Sequence, residues 1–304
     1  MLSVVVVGAH ADDRAKAVEL VEKAAAQSRI TDLKEPYTLK ISFRVPGEHG
    51  TEGTHQYWSL HKSWRTEIKA RGYHSTEVGQ PDRRWVAADL PYAPEPIDML
   101  ARLIEAGTTF EWPLDAQSVK LKNEPDGRCV VLKRDKLHEL HICFDPATSL
   151  LRAVNDKRGN RFEFRDYETL AGRKLPRTMN YYDGKILVVA ANLDALNVLT
   201  SPDPALLTPP ANAEAWDWCE NMEPPKLIRG VRPQTPRGAW GGYNQFWVVV
   251  NTEGHVEEGG LMQSAGWVLD KAAADAMKKW LFRPAMCNGM PIRVKTTASF
   301  EFDY

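Results

Sequence analysis

The sequence lacks a long apolar segment and a strong charge of either sign. No run approaches the roughly 20 apolar residues that a membrane helix needs, and the 304 residues carry a net charge of only −1. A nearly neutral chain creates no field that recruits nucleic acid or an anionic membrane. We therefore expect a soluble mature chain that binds no nucleic acid. Its 43% apolar and 26% charged residues are typical of globular proteins, and its length suffices for two domains.

Catalytic motifs are also missing. There is no glycine-rich phosphate loop, no CxxC pair and no nucleophile-elbow glycine pattern around a serine. His138, His141 and Cys143 form a His-x-x-His-x-Cys pattern, but on a strand His138 points away from the other two. Because a metal site needs convergent ligands, we predict no metal, no cofactor and no enzymatic activity.

Cysteines are few: Cys129, Cys143, Cys219 and Cys287. Cys129 and Cys143 lie on two predicted strands, and cross-strand pairing would bring their side chains within disulfide reach. The other two both fall in or beside the C-terminal region. An even count in an exported protein permits two disulfides, and four buried free thiols are the alternative that spacing leaves open.

The N-terminus carries a short apolar run, Leu2 to Ala9, followed by the small-x-small pattern Ala9-His10-Ala11. The pattern is that of a signal-peptidase site, although the run lacks a basic flank. We interpret residues 1–11 as a truncated secretory signal and predict cleavage after Ala11. The alternative is a first β-strand.

Residues 12–198 read as one helix followed by many short strands. The helix is expected from about Asp13 to Ser28, with Asp12 or Asp13 as its N-cap. Alternating apolar residues then predict about a dozen strands, interrupted by one helix from Ile97 to Ala106. Residues 199–223, rich in proline, are predicted to be a semi-stiff linker with at most one helical turn between Ala211 and Cys219.

This order of elements resembles the half-barrel of the outer-membrane lipoprotein carrier LolA and the receptor LolB over residues 13–195. The carrying segments are the helix before Tyr37–Val45, the strand 53–58, the turn 144–150, and residues 167–170 before Lys174-Leu175-Pro176. The resemblance implies a curved sheet with a helix across its mouth and an apolar cavity for a lipid or acyl ligand. The candidate lining residues are Trp58, Trp64, Trp85, Leu100 and Leu103. The alternative is that these side chains are ordinary core.

Residues 224–304 predict a hairpin, a helix and a strand. The apolar strand 246–250 and the return strand 256–262 flank the turn Asn251–Gly254. A helix is expected from the N-cap Asp270 to about Lys279, before Pro284. The final strand, residues 292–300, alternates cleanly between apolar and polar positions.

These residues resemble the C-terminal domain of TonB-type energy transducers. The matching segments are 254–256, 264–266, Leu269-Asp270 with Ala272-Ala273, 280–285, 288–291 and Phe300. One departure from the family is Gly259-Gly260 in the second strand, which predicts that this strand is short. The predicted fold class is therefore α+β, with a curved N-terminal half-barrel and a small C-terminal sheet with its helix.

The TonB resemblance implies that the last strand meets a partner at its free edge. The partner would be a segment of an outer-membrane receptor or another envelope protein, added as a strand along Arg293, Val294, Lys295, Thr296 and Thr297. The two outward cations would favour an acidic segment. The alternatives are an edge covered by the chain itself, or by a second copy in a homodimer.

Three functions are compatible with these observations. The first is a non-enzymatic periplasmic binding protein of a Gram-negative cell envelope, with a ligand-binding half-barrel and a partner-docking C-terminal domain. The second is a TonB-type energy transducer for outer-membrane transport whose membrane anchor is missing from this sequence. The third is an envelope hydrolase or metalloprotein. The missing anchor favours the first over the second, and the missing catalytic motifs rank the third last.

Overall fold

The computed structural model describes residues 6–47, 50–110, 112, 118–133, 139–157, 159–219, 221–235 and 242–302. The α-helices among these residues are α1 (Val6–Ser28), α2 (Glu95–Thr108) and α3 (Trp267–Met277). The strands are β1 (Tyr37–Val45), β2 (Thr51–Leu60), β3 (Ser63–Ala70), β4 (Tyr73–Gln80), β5 (Arg83–Ala88), β6 (Ser118–Glu124), β7 (Gly127–Lys133), β8 (Glu139–Phe144), β9 (Leu151–Asp156), β10 (Asn160–Leu170), β11 (Arg173–Asp183), β12 (Ile186–Val198), β13 (Glu214–Asp217), β14 (Lys226–Arg229), β15 (Gly242–Val250), β16 (Val256–Gln263), β17 (Leu281–Arg283), β18 (Ala285–Cys287), β19 (Met290–Ile292) and β20 (Val294–Phe302).

Strands dominate, so the fold is mostly β and the predicted α+β class is only partly right. Alternating burial extends over most of the chain, whereas a helical pattern appears in few stretches, and each strand needs a neighbour to satisfy its backbone. No helix among the described residues has the length and apolarity to cross a bilayer.

The chain forms two compact units. The first contains residues 1–61, 66–74 and 95–203, and the second contains 62–65, 75–94 and 204–304. Strands β3 and β4 have residues in both. The sequence-based boundaries differ, since they place 62–65 and 75–94 in the N-terminal domain; those boundaries stay a prediction.

The first unit is built on a large curved antiparallel sheet that does not close. Its strands pair in the order β2-β1-β12-β11-β10-β9-β8-β7-β6. In β1, Leu39, Ile41 and Phe43 alternate with more exposed neighbours and are buried. Helix α2 lies on this face, because its Gly107 lies against Phe164 of β10, and the registers connect Phe164 through β11 and β12 to Phe43.

Helix α1 begins earlier than predicted. It starts at Val6, so Asp12 and Asp13 lie within the helix and are not its N-cap, and residues 6–9 are not a first strand. The alanine-rich sequence around them is compatible with continued helix. Ala17, Val21 and Ala24 form its buried stripe. Cleavage after Ala11 stays a prediction.

In the second unit, β13 pairs with β5, which pairs with β4. The prediction of a helical turn between Ala211 and Cys219 is wrong, because Glu214–Asp217 is a strand whose Trp216 lies opposite Arg84. The proline-rich segment is therefore more than a connection. Its backbone donors are taken up by pairing with a strand more than 120 residues earlier in the chain, which local sequence does not reveal.

The C-terminal sheet of this unit has the strand order β16-β15-β20, and α3 packs on one face. Helix α3 begins after Gly266, which has φ 102°, so the prediction of Asp270 as N-cap is wrong. Asp270 lies in the first turn, where its carboxylate accepts hydrogen bonds from Ser264 Oγ (2.5 Å) and the Ala265 N–H (2.9 Å). Asp270 thus accepts a backbone hydrogen bond from inside the first turn of the helix, whereas an N-cap residue does so from the position before the helix.

Strand β16 is eight residues long, so the predicted shortening at Gly259-Gly260 is wrong. The glycines serve packing across the sheet. A Cβ on Gly260 would lie 2.5 Å from Nε1 of Trp247 in the adjacent β15, and one on Gly259 would lie 2.9 Å from the Trp247 carbonyl oxygen. Glycine leaves room for the indole ring while the ladder continues.

Two disulfides are present. Cys129 and Cys143 are directly opposite each other in β7 and β8, and Cys219 is joined to Cys287 of β18. No free cysteine occurs among the described residues, so of the two alternatives the structure contains the one with two bridges.

Candidate partner-binding edge of the C-terminal sheet

Strand β20 is an edge strand in the described part of the chain. Along all nine of its residues it pairs with β15, from Val250↔Val294 to Gly242↔Phe302. No strand of the described residues pairs with its other side. An edge strand of this kind has backbone N–H and C=O groups that can pair with an added strand.

The two faces of β20 differ in chemistry. Val294, Ala298, Phe300 and Phe302 are buried in the core under α3. The alternate residues point to the opposite face, which we call the outward face of the sheet. There Lys295, Thr297, Ser299 and Glu301 are exposed. The predicted alternation of this strand therefore matches the observed burial.

Arg293 immediately precedes β20 and is surrounded by carboxylates. Its guanidinium is 3.0 Å from Glu257 and 3.9 Å from Glu258 of β16, and 3.6 Å from Glu214 of β13. It also lies 4.6 Å from the centre of the Trp216 ring. Three carboxylates already compensate its charge.

Lys295 is also engaged by the chain's own residues. Its ammonium lies 5.2 Å from the ring centre of Trp216 and 5.1 Å from that of Trp247, within the range of cation–π attraction. It donates a hydrogen bond of 3.2 Å to the carbonyl oxygen of Pro91. Trp216 therefore contacts both cations that the sequence assigns to partner binding.

The burial of the β15 residues on the outward face also varies along β20. Val249 is fully buried and Trp247 is 9% exposed, although both point away from the α3 side. The outward face is thus packed at Val249 and Trp247, which lie opposite Lys295 and Thr297, and it is open near Ser299 and Glu301. Val294 and Thr296, the other two predicted partner-binding residues, point into the domain, buried and half-buried respectively.

The structure does not bring the predicted cavity residues together. Leu100 and Leu103 belong to helix α2 and are fully buried. Trp58 is opposite Thr38, whereas Leu39 is opposite Tyr57, so Trp58 lies on the sheet face away from α2 and does not share a cavity with Leu100. One position in strand register decides this, because successive side chains point to opposite faces.

Trp64 and Trp85 both belong to the second unit. The Trp64 ring packs directly over Gly79 of β4, and Trp85 lies between Val78 and Ala215 in the strand register. Apolar-ligand binding stays a prediction.

The described side chains of the His-x-x-His-x-Cys pattern have separate structural contacts. His141 contacts Glu124 (2.9 Å) and Glu139 (3.0 Å) through its two ring nitrogens, and His138 lies outside the described residues. Glu124 also lies near Cys129 and Cys143. Disulfide sulfurs lack the thiolate charge that holds a metal, so this group does not offer a ligand set in the disulfide form.

A neighbouring ionic cluster is likewise internally compensated. The Arg161 guanidinium binds both carboxylate oxygens of Asp126, and these hydrogen bonds lower the pKa of Asp126. Arg161 and Arg165 also bind Glu163, which is buried. Each carboxylate in the cluster has a guanidinium partner, as in a structural network.

Sequence reasoning missed Glu214 and Trp216. Their signal is the run Glu-Ala-Trp-Asp-Trp, whose alternation is that of a short strand. Surrounding prolines favoured a linker interpretation instead.

The described C-terminal region thus contains a small antiparallel sheet covered by helix α3, and its last strand, β20, has a strand neighbour among the described residues on one side only. Residues 236–304 match the family of the Gram-negative bacterial TonB protein C-terminal, which confirms the recognition of this domain from the sequence. The matched family is one of bacterial envelope proteins. Among curated proteins, no match to the chain is found.

Several solved structures are similar to the chain. A DUF1329 family protein from Desulfovibrio piger is 14% identical, with 64% of this chain and 97% of that chain covered and a TM-score of 0.43. A LolA superfamily protein from Nitrosomonas europaea is 9% identical, with 62% and 96% covered and the same TM-score. The Pseudomonas aeruginosa MucA/MucB complex is 15% identical, with 79% and 81% covered and a TM-score of 0.32. At these scores the likenesses carry no argument about function.

Proposed function

We propose that this protein is a non-enzymatic periplasmic protein of a Gram-negative envelope that docks a partner segment on its C-terminal domain. The segment, from an outer-membrane receptor or another envelope protein, adds as a strand to the free edge of β20. The observation that carries the proposal is a nine-residue strand that pairs on one side only among the described residues, within a domain that matches the TonB C-terminal family.

Backbone groups supply the affinity in this mode of binding. An extended peptide forms main-chain hydrogen bonds with an exposed edge, and alternate side chains provide specificity. The exposed Ser299 and Glu301 lie along the open part of the outward face, and Thr297, also exposed, lies opposite the buried Trp247. We expect the added strand to run along these residues.

Hydrogen exchange tests whether the edge is free. In an edge strand, alternate N–H groups point to the neighbouring strand and to solvent. We expect alternating slow and fast exchange along Val294–Phe302 in the isolated protein, and slow exchange throughout when a receptor segment is bound. Uniformly slow exchange in the isolated monomer would show an edge already occupied and overturn the proposal. A dimer in light scattering would assign the occupation to a second copy.

Proline substitutions test the backbone requirement. Thr296 and Thr297 have N–H groups that point to opposite sides of β20. Proline at the edge-facing position removes a donor for the partner and leaves pairing with β15 intact, whereas proline at the other position breaks that pairing. We expect the edge-facing proline variant to remain folded and to lose peptide binding. Its alanine counterpart should change the binding free energy by about 1 kcal/mol or less, the size of a cross-strand side-chain contact. Equal binding by folded proline and alanine variants would contradict strand addition.

Cross-linking in cells identifies the partner class. A photoreactive residue at Ser299, exposed on the open part of the outward face, should form cross-links that fractionate with the outer membrane. The same residue at Ser201, outside the C-terminal sheet, serves as the control. Equal cross-linking from both positions would argue against docking at β20.

A further inference from the structure

Two cations at the start of β20, Arg293 and Lys295, contact a segment of the chain that has a distinctive composition. Residues 214–217 read Glu-Ala-Trp-Asp, and Glu214 and Trp216 lie on one face of β13. Glu214 pairs with Arg293, and the centre of the Trp216 ring lies 4.6 Å from the Arg293 guanidinium and 5.2 Å from the Lys295 ammonium. An acid and an aromatic residue two positions apart thus match two cations two positions apart.

From this arrangement we infer that β13 stands in for a partner, and that the segment docking on β20 carries an acid-x-aromatic pattern. The inference rests on the proposed strand addition. A strand added beside β20 places alternate side chains next to Arg293 and Lys295. An aromatic ring there gains the same cation–π contacts that Trp216 makes now, and an acidic residue two positions away gains the ion pair of Glu214.

Competition between the two occupants follows from their shared cations. The ammonium of Lys295 already has both Trp216 and Trp247 beside it. A partner's aromatic ring must displace Trp216 to reach Lys295. Occupation by the internal segment therefore reduces the apparent affinity for the partner.

The disulfide strengthens the internal occupant. Cys219 lies three residues after Trp216 and is covalently attached to Cys287, and the backbone of Glu223 bridges to Met286. These links keep Trp216 close to β20, at a high effective concentration. Removing the disulfide should therefore weaken the internal segment and favour the external one.

Calorimetric titration with a synthetic peptide of residues 211–218 tests the inference on the full chain. We expect weak binding to the wild type and about tenfold tighter binding to Trp216→Ala. A peptide with leucine at the position of Trp216 should lose most of that gain. Trp267→Ala, which removes a 77% exposed tryptophan elsewhere in the same domain, should bind as the wild type does.

Two further variants release the internal segment without removing Trp216. Glu214→Gln removes the ion pair with Arg293 and keeps the strand, with an expected gain of about threefold. The Cys219→Ser/Cys287→Ser pair should also bind the peptide more tightly. Slow amide exchange at Val248, in the core of β15, verifies folding. Unchanged affinity in all folded variants, or no preference for tryptophan over leucine, would overturn the inference.

Exchange at β20 separates this inference from the proposed function. Protection of the β20 edge by both peptides, with equal affinity for wild type and Trp216→Ala, leaves strand addition standing and overturns the acid-x-aromatic preference. Tight, tryptophan-dependent binding to Trp216→Ala without protection of the edge supports the occupied-cation argument and overturns strand addition. Absence of binding to every variant overturns the inference.

Discussion

Lowering the pH should destabilise the first unit through His55. The imidazole lies in β2 with Nε2 2.9 Å from Oγ1 of Thr66, and its Nδ1 is screened from solvent without a hydrogen-bond partner. Burial lowers the pKa of His55 from 6.5 to about 4. The native state thus holds the ring neutral, because a charged imidazolium would lose its hydration there.

The direction and size of this pH effect on the free energy of unfolding follow from proton linkage. Below about pH 6.5 the unfolded chain binds a proton at His55, whereas the folded chain does so only near pH 4. The free energy of unfolding is therefore highest above pH 6.5 and falls as the pH is lowered through this window. A difference of about 2.5 pH units at about 1.4 kcal/mol each gives about 3 kcal/mol in total.

Urea unfolding between pH 7.5 and pH 4 measures this effect. We expect His55→Gln to remove most of the slope between about pH 6.5 and 5.5, above the range in which ordinary carboxylates titrate. His255→Gln, at an exposed histidine of the C-terminal region, is the matched control and should keep the slope. Equal slopes for wild type and His55→Gln would refute the argument that burial suppresses protonation at this site.

Three further predictions concern the cross-link, a turn and the ligand. The Cys219→Ser/Cys287→Ser variant should lose about 4 kcal/mol of stability, because the bridge closes a loop over a separation of 68 residues; unchanged urea unfolding would contradict this. Gly254→Ala should destabilise the C-terminal sheet by at least about 2 kcal/mol more than Gly289→Ala, since both glycines have positive φ but only at Gly254 would a Cβ collide with the Phe282 carbonyl; equal losses in thermal melts would refute it. If the half-barrel binds an apolar ligand, detergent-free protein should bind a fluorescent acyl probe saturably, and no saturable binding would end that prediction.

Most of the strands and helices follow from local patterns in the sequence. Strand β1 follows from the alternation of Leu39, Ile41 and Phe43, and strand β20 follows from the alternation of apolar and polar residues over 292–300. The turn at Asn251–Gly254 follows from glycine with φ 87° and from the Asn251 side chain, which accepts hydrogen bonds from two backbone N–H groups. These signals are local, because side-chain period and backbone conformational freedom are properties of neighbouring residues.

Tertiary structure alone decided what surrounds the candidate edge. Nothing near Glu214–Asp217 in sequence indicates a strand partner at Arg83–Val86, or that Trp216 packs on Lys295 almost 80 positions later. The strand register decided on which side of the sheet Trp58 lies. The packing around β2 decided that His55 is buried. Such contacts join residues far apart in the chain, so their energies enter only when the sheet has formed, and local pattern carries no record of them.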